Sequence, residues 1–170
     1  MHRREAWGKA HEAVAGDPAP CGAARPLRPP GREPLVTAGK LRRILLVEDD
    51  EDIQAIAAMA LDNLGGFTVL VCGSGREALK RMAGFEPDLI LLDVVMPGMD
   101  GPATLRALRD IPEAALTPVA FMTARAQARD VQALGELGVQ GVITKPFDPM
   151  TLCDTVREIW ESRAGVAEQP

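Results

Sequence analysis

Five short runs of β-branched and aliphatic residues recur along this chain. Between them lie segments whose apolar positions repeat with a helical period. The runs are Leu41–Val47, Phe67–Cys72, Asp88–Asp93, Pro118–Thr123 and Val139–Lys145. After the first, Ile53, Ile56, Ala57, Ala60, Leu61 and Leu64 fall on one face of a predicted helix, which Gly65-Gly66 stops. Shorter helices are predicted over Gly75–Met82 and Pro102–Arg109, and another over Ala126–Leu137, weakened by Gly135. Asp148 is an N-cap for a last helix to about Arg163, with Leu152, Val156, Ile159 and Trp160 on its buried side. The third run is apolar on both faces, as a central parallel strand should be. Such alternation predicts right-handed βα units, hence an α/β fold with a five-stranded parallel sheet covered on both faces, a doubly wound architecture.

Sheets of this kind bind ligands outside the carboxyl ends of their strands, where the strand order reverses. At those ends stand Glu48-Asp49, Asp93, Thr123 and Lys145. Three acids, a hydroxyl and an amine suit one divalent cation and one phosphoryl group. A hard cation such as Mg²⁺ takes oxygen ligands, and without a cation the carboxylates would repel one another. Asp50, Glu51 and Asp52 are read differently, as solvated acids favouring a helix start. An isolated strand-end aspartate is ordinarily a cap or turn former. Carboxylates also accept phosphoryl groups as acyl phosphates, a transfer governed by positioning and charge neutralisation. Thr123 supplies a hydroxyl and Lys145 a mobile cation, and Lys145-Pro146 admits a cis peptide that would help hold the amine at the sheet edge.

The 170 residues suffice for one full core and are too few for two comfortable domains. Hydrophobic and charged fractions of 46% and 25% are those of a soluble protein, and no apolar run is long enough to cross a bilayer. Cys21, Cys72 and Cys153 are odd in number and scattered, which reads as reduced thiols in a cytoplasmic protein. The only histidines, His2 and His11, precede the periodic region, which argues against a Ser-His-Asp triad or a histidine-ligated metal there.

Residues 1–40 hold six of the 14 prolines and five of the 16 glycines, without a sustained hydrophobic period. Their net charge is +3, which leaves −8 on the remainder. They read as a disordered extension. A basic segment touching an acidic partner, and a true start near Val36, stay open as alternatives. Arg3-Arg4 lacks the apolar stretch an export signal needs.

Leu45-Leu46-Val47-Glu48-Asp49-Asp50, Leu91-Leu92-Asp93 with Met96-Pro97-Gly98-Met99-Asp100-Gly101, Met122-Thr123-Ala124 and Thr144-Lys145-Pro146-Phe147 resemble, in order, the signatures of response-regulator receiver domains of the CheY-like superfamily. The resemblance covers residues 41–163, leaving 164–170 as a tail, and implies a flavodoxin-like (βα)5 fold. It implies that Asp93 is the phosphoacceptor, Asp49 a direct Mg²⁺ ligand and Glu48 a ligand through water. The backbone carbonyl of Val95 would be a further ligand, Thr123 the switch hydroxyl and Lys145 the phosphate-binding amine. The donor would be a histidine kinase or histidine phosphotransfer protein.

Two departures from the family pattern stand out. Many receivers carry an aromatic residue three positions before the lysine; this chain has Val142 there and no tyrosine anywhere. Val95 and Arg125 occupy positions similar to those that tune dephosphorylation in the family, and valine cannot hydrogen-bond an attacking water, so a long-lived phosphorylated form is expected. Because the chain ends soon after its last helix and is acidic from 41 onward, a stand-alone regulator acting by protein contact or onward phosphotransfer is expected, with no nucleic acid, no membrane and no metabolic reaction. An aspartyl-phosphate hydrolase of the haloacid-dehalogenase kind would want an acid where Val95 stands. A degenerate receiver acting only as a binding module would not keep all five site residues.

Overall fold

In the computed structural model, which describes residues 39–125 and 127–162, five strands alternate with five α-helices. They are β1 (Arg43–Val47), α1 (Glu51–Met59), β2 (Thr68–Cys72), α2 (Gly75–Phe85), β3 (Leu89–Asp93), α3 (Gly101–Arg109), β4 (Val119–Thr123), α4 (Ala128–Gly135), β5 (Gly141–Thr144) and α5 (Pro149–Ser162). Of the expected extension, residues 1–38 lie outside the described residues, as does the tail 164–170. Among the described residues no helix is long and apolar enough to cross a membrane.

All neighbouring strands pair in parallel, in the order β2-β1-β3-β4-β5. This is the expected doubly wound, flavodoxin-like sheet. The strand alternation divides its core in two. Ile44 and Leu46 of β1 join α1 and α5 on one face, with Ala57, Leu61, Leu152 and Val156. Leu45 and Val47 join α2 and α3 on the other, with Ala78, Met82, Leu105 and Leu108. β3 and β4 are buried along their whole length, as central strands without a solvent face must be. Cys72 and Cys153 are buried thiols without a disulfide, and burial pushes Cys72 up to about 11.

The first helix departs from its sequence pattern. Its α-helical part ends at Met59, and Ala60–Leu64 form a π-helical turn in which Gly65 N–H donates to Ala60 O over 3.1 Å. A π turn advances less per residue than an α turn, so the apolar stripe slips out of phase. Ala57, Ala60 and Leu61 are buried as expected, whereas Leu64 is 52% exposed. The buried Cys153 thiol of α5 donates to Ala60 O, a carbonyl in this widened turn. Helix α2 runs to Phe85, past the expected end, and stops where Glu86 turns left-handed at φ 50°. Asp148 does cap α5, accepting from Met150 N at 2.9 Å.

Two close contacts couple this scaffold to the carboxyl end of β3. Asp100 caps α3 through Ala103 N at 2.7 Å, and Gly101 N–H donates to Val94 O at 3.0 Å. A Cβ on Gly101 would lie 2.5 Å from the Asp93 carbonyl oxygen and 2.8 Å from Val94 Cα, both backbone atoms that cannot yield. Gly101→Ala should therefore lower stability by about 1–3 kcal/mol. A urea unfolding midpoint equal to wild type would refute this.

Candidate functional site

Register brings the expected site residues to one sheet edge. Val47 pairs with Leu92, so Glu48 of the β1 end stands beside Asp93 of β3. Asp93 pairs with Met122 and Thr123 with Thr144, so Thr123 and Lys145 follow on the next two strand ends. Strand order reverses between β1 and β3, and their following helices leave for opposite faces, which opens a crevice there.

Both central acids are buried. Glu48 is 1% exposed and Asp93 5%. The backbone N–H of Glu48 donates to Cys72 O at 3.1 Å, and its Oε1 accepts from Asp50 N at 3.3 Å. Lys145 reaches across from the end of β5, where its own N–H donates to Thr123 O at 2.7 Å. Its Nζ lies 2.5 Å from Glu48 Oε2 and 3.0 Å from Asp93 Oδ2. The ammonium is thus the partner of the buried Glu48 Oε2 and bridges the two acids. The other Asp93 oxygen, Oδ1, accepts weakly from Val95 N at 3.4 Å.

Glu48, Asp49 and Asp93 each present a carboxylate oxygen within 4.8 Å of the others. With every group ionised, three carboxylates against one ammonium leave two negative charges in excess. An all-oxygen acid set with that excess of charge fits a hard divalent cation. Burial raises the Glu48 carboxyl above its usual range, opposed by Lys145 and reinforced by Asp93. Burial would lower Lys145, but Glu48 and Asp93 outweigh it and hold the ammonium above its usual range.

Beside the acids lies a cleft of about 450 Å³, with Glu48, Asp49, Asp93 and Lys145 on one side and Ile53, Ile56 and Phe147 on the other. Ile53 and Ile56 carry the apolar pattern of a core face, yet Ile56 is 43% exposed and serves this wall instead. The Lys145-Pro146 peptide is cis.

Two expected site residues, Thr123 and Val95, do not line this cleft. Thr123 is fully buried, and its Oγ1 accepts from Arg125 N at 3.0 Å. Val95 holds its side chain out to solvent, 61% exposed. The sequence reading passes over Gln54, whose side-chain amide donates to Glu48 O at 2.6 Å. A glutamine early in a helix looks like any solvated polar residue, and no spacing rule singles it out.

Residues 44–157 match the response regulator receiver domain. The chain belongs to this family. Its receiver is 36% identical over 127 residues to the transcriptional regulatory protein CseB of Streptomyces avermitilis, covering 75% of this chain and 52% of that one. The alkaline phosphatase synthesis transcriptional regulatory protein PhoP of Bacillus subtilis is 35% identical over 119 residues, 69% of this chain and 48% of that protein. The chain thus spans about half the length of these relatives, and what their names say of transcription belongs to them. Among solved structures, the chemotaxis response regulator CheY4 of Vibrio cholerae superposes with a TM-score of 0.65 at 29% identity, covering 71% of this chain and 99% of that one. A putative response regulator from Chloroflexus aurantiacus gives 0.65 at 30% identity, over 72% and 99%.

In this receiver the ammonium is the counter-charge for two buried acids. Lys145→Met should lower stability in metal-free buffer by about 3–5 kcal/mol, since it strands Glu48 and Asp93 without a cation. Added Mg²⁺ should then raise the melting temperature of the variant more than that of wild type. Equal shifts in paired thermal scans would contradict the assignment.

Proposed function

We propose that this receiver is a phosphoacceptor of a two-component or phosphorelay system. Asp93 takes a phosphoryl group from a phosphohistidine on a histidine kinase or histidine phosphotransfer protein. The observation that carries this reading is the Lys145 ammonium held 3.0 Å from Asp93, with Glu48 and Asp49 alongside. An Asp93 oxygen attacks phosphorus, the phosphorus–nitrogen bond to the donor imidazole breaks, and the leaving imidazole takes up a proton. Glu48, Asp49, Asp93 and the carbonyl of Val95 would hold Mg²⁺, which when bound neutralises charge on the phosphoryl oxygens. Lys145, whose ammonium contacts both Glu48 and Asp93, supplies a second cation, and Thr123 a hydroxyl that at rest accepts from the N–H of Arg125.

Output by protein contact or onward phosphotransfer accords with the acidity of residues 41–170, which disfavours a nucleic-acid partner for this part of the protein. The family is one of regulatory phosphoacceptors, and self-dephosphorylation is the only turnover this reading requires. The exposed Val95 side chain offers an attacking water no hydrogen bond, which supports slow loss of the phosphoryl group.

Incubation with a small phosphodonor and Mg²⁺, followed by intact mass, tests the reading. Wild type should gain one phosphoryl group, and Asp93→Asn or chelator should abolish the gain. Turnover of organic phosphates would instead indicate a hydrolase, and no gain at all a pure binding module. Once phosphorylated and purified, the protein should keep its label in Mg²⁺ buffer far longer than a Val95→Asn variant. Rapid loss from wild type would overturn the slow-hydrolysis reading.

A further inference from the structure

The acid turn after β1 is fastened at both ends by groups local to it or to the sheet. Glu48 N–H donates to β2 through Cys72 O at 3.1 Å, so the start of the turn belongs to the sheet. Asp50 caps α1, its Oδ1 accepting from Asp52 N at 3.0 Å and Ile53 N at 3.1 Å, so the end of the turn belongs to the helix. Between these lies the peptide that joins Glu48 to Asp49. Its carbonyl accepts the side-chain amide of Gln54 at 2.6 Å, and Gln54 in turn is anchored by its own N–H on Asp50 O at 2.9 Å.

A peptide unit is planar, so fixing the Glu48 carbonyl also fixes the direction in which Asp49 leaves the chain. That matters because Asp49 is the exposed member of the acid set, whereas Glu48 and Asp93 are walled in by the core. Burial aims Glu48 and Asp93. Asp49 is aimed by the backbone on either side of it, the Glu48 carbonyl held by Gln54 and the Asp50 N–H by a longer 3.3 Å bond to Glu48 Oε1. We infer that Gln54 is a positioning residue for the divalent-cation site, holding the Glu48–Asp49 peptide so that the Asp49 carboxylate stays within reach of its two partners. This rests on the phosphoacceptor reading of the same site. Partners that orient metal ligands without touching the metal strongly affect affinity in well-ordered sites. Gln54 touches neither the phosphoryl group nor the attacking oxygen, so its effect should fall on cation affinity and not on the transfer step.

The test is calorimetric titration of the unphosphorylated protein with Mg²⁺, for wild type, Gln54→Leu and Gln54→Met, beside the Mg²⁺ dependence of phosphorylation by a small phosphodonor. Both variants should bind Mg²⁺ about tenfold more weakly. The Mg²⁺ concentration for half-maximal phosphorylation should rise by the same factor, with the rate at saturating Mg²⁺ close to wild type. A lowered melting temperature with an unchanged Kd would show a purely structural role and overturn the inference, as would a fall in the saturating rate alone. The methionine variant keeps the length and apolar stem of glutamine, so it serves if Gln54→Leu fails to fold. If wild type itself bound no Mg²⁺, the phosphoacceptor reading would fall and this inference with it. Normal binding by wild type with unaltered variants would sink the inference alone.

Discussion

A single ammonium shared by two buried carboxylates governs this molecule. Glu48 and Asp93 are withdrawn from water on neighbouring strands, and without a cation between them their repulsion would be felt at low dielectric. Lys145 comes from a strand two positions away because its four-carbon stem is long enough to cross the end of β4. One positive charge cannot balance three acids, so the cluster keeps an excess that a divalent ion matches and a monovalent one does not. The protein thus stabilises the arrangement enough to fold while leaving it electrostatically incomplete.

The sheet makes that arrangement inexpensive to hold. Glu48, Asp93 and Lys145 stand where strands end, so the backbone around them is already hydrogen-bonded by the neighbouring strand. Val94 N–H, for example, donates to Met122 O at 2.9 Å, and Lys145 N–H to Thr123 O at 2.7 Å. Pairing register then decides which side chains meet, and slipping any of these strands by one residue would turn its core side chains to the wrong face. The hydrophobic alternation of β1, with Ile44 and Leu46 on one face and Leu45 and Val47 on the other, is therefore also what aims Glu48. Gly101 shows the same economy, since the α3 backbone presses against Asp93 and Val94 in a space that no side chain could share.

Much of this is legible in the residues themselves. Leu89–Leu92 is apolar without alternation, which only a doubly covered strand tolerates, and Asp93 directly after it marks the carboxyl end. Glu48, Asp49 and Lys145 follow from the same logic and meet as expected. The π turn at Ala60–Leu64 was not legible, because its cause is tertiary. Helix α5 offers the Cys153 thiol to Ala60 O from 93 residues away, a contact no local window contains. Thr123 was legible as a strand-end hydroxyl but not in its bonding, which depends on how the following loop folds back to present the N–H of Arg125. Gln54 was invisible for a different reason: its role is a hydrogen bond to a carbonyl, and backbone acceptors leave no mark on sequence.

Val142 bears on how a phosphorylation signal would leave the site. It is packed against the second core cluster, and a β-branched side chain stiff at χ1 has no ring to swing and little room to change rotamer. On the proposed function the group that would move is instead the hydroxyl of Thr123, which accepts from Arg125 N and would strain or release that bond on rotating toward a phosphoryl oxygen. Releasing it frees an amide in the loop before α4, so the loop has to find a new partner or a new path. The same residue's carbonyl accepts from Lys145 N–H, which ties that loop to the residue whose ammonium holds Asp93. On the proposed function, movement of the hydroxyl and redirection of the ammonium would thereby be linked through one residue. A chain built this way would send its signal through the backbone after β4 rather than through an aromatic side chain on β5.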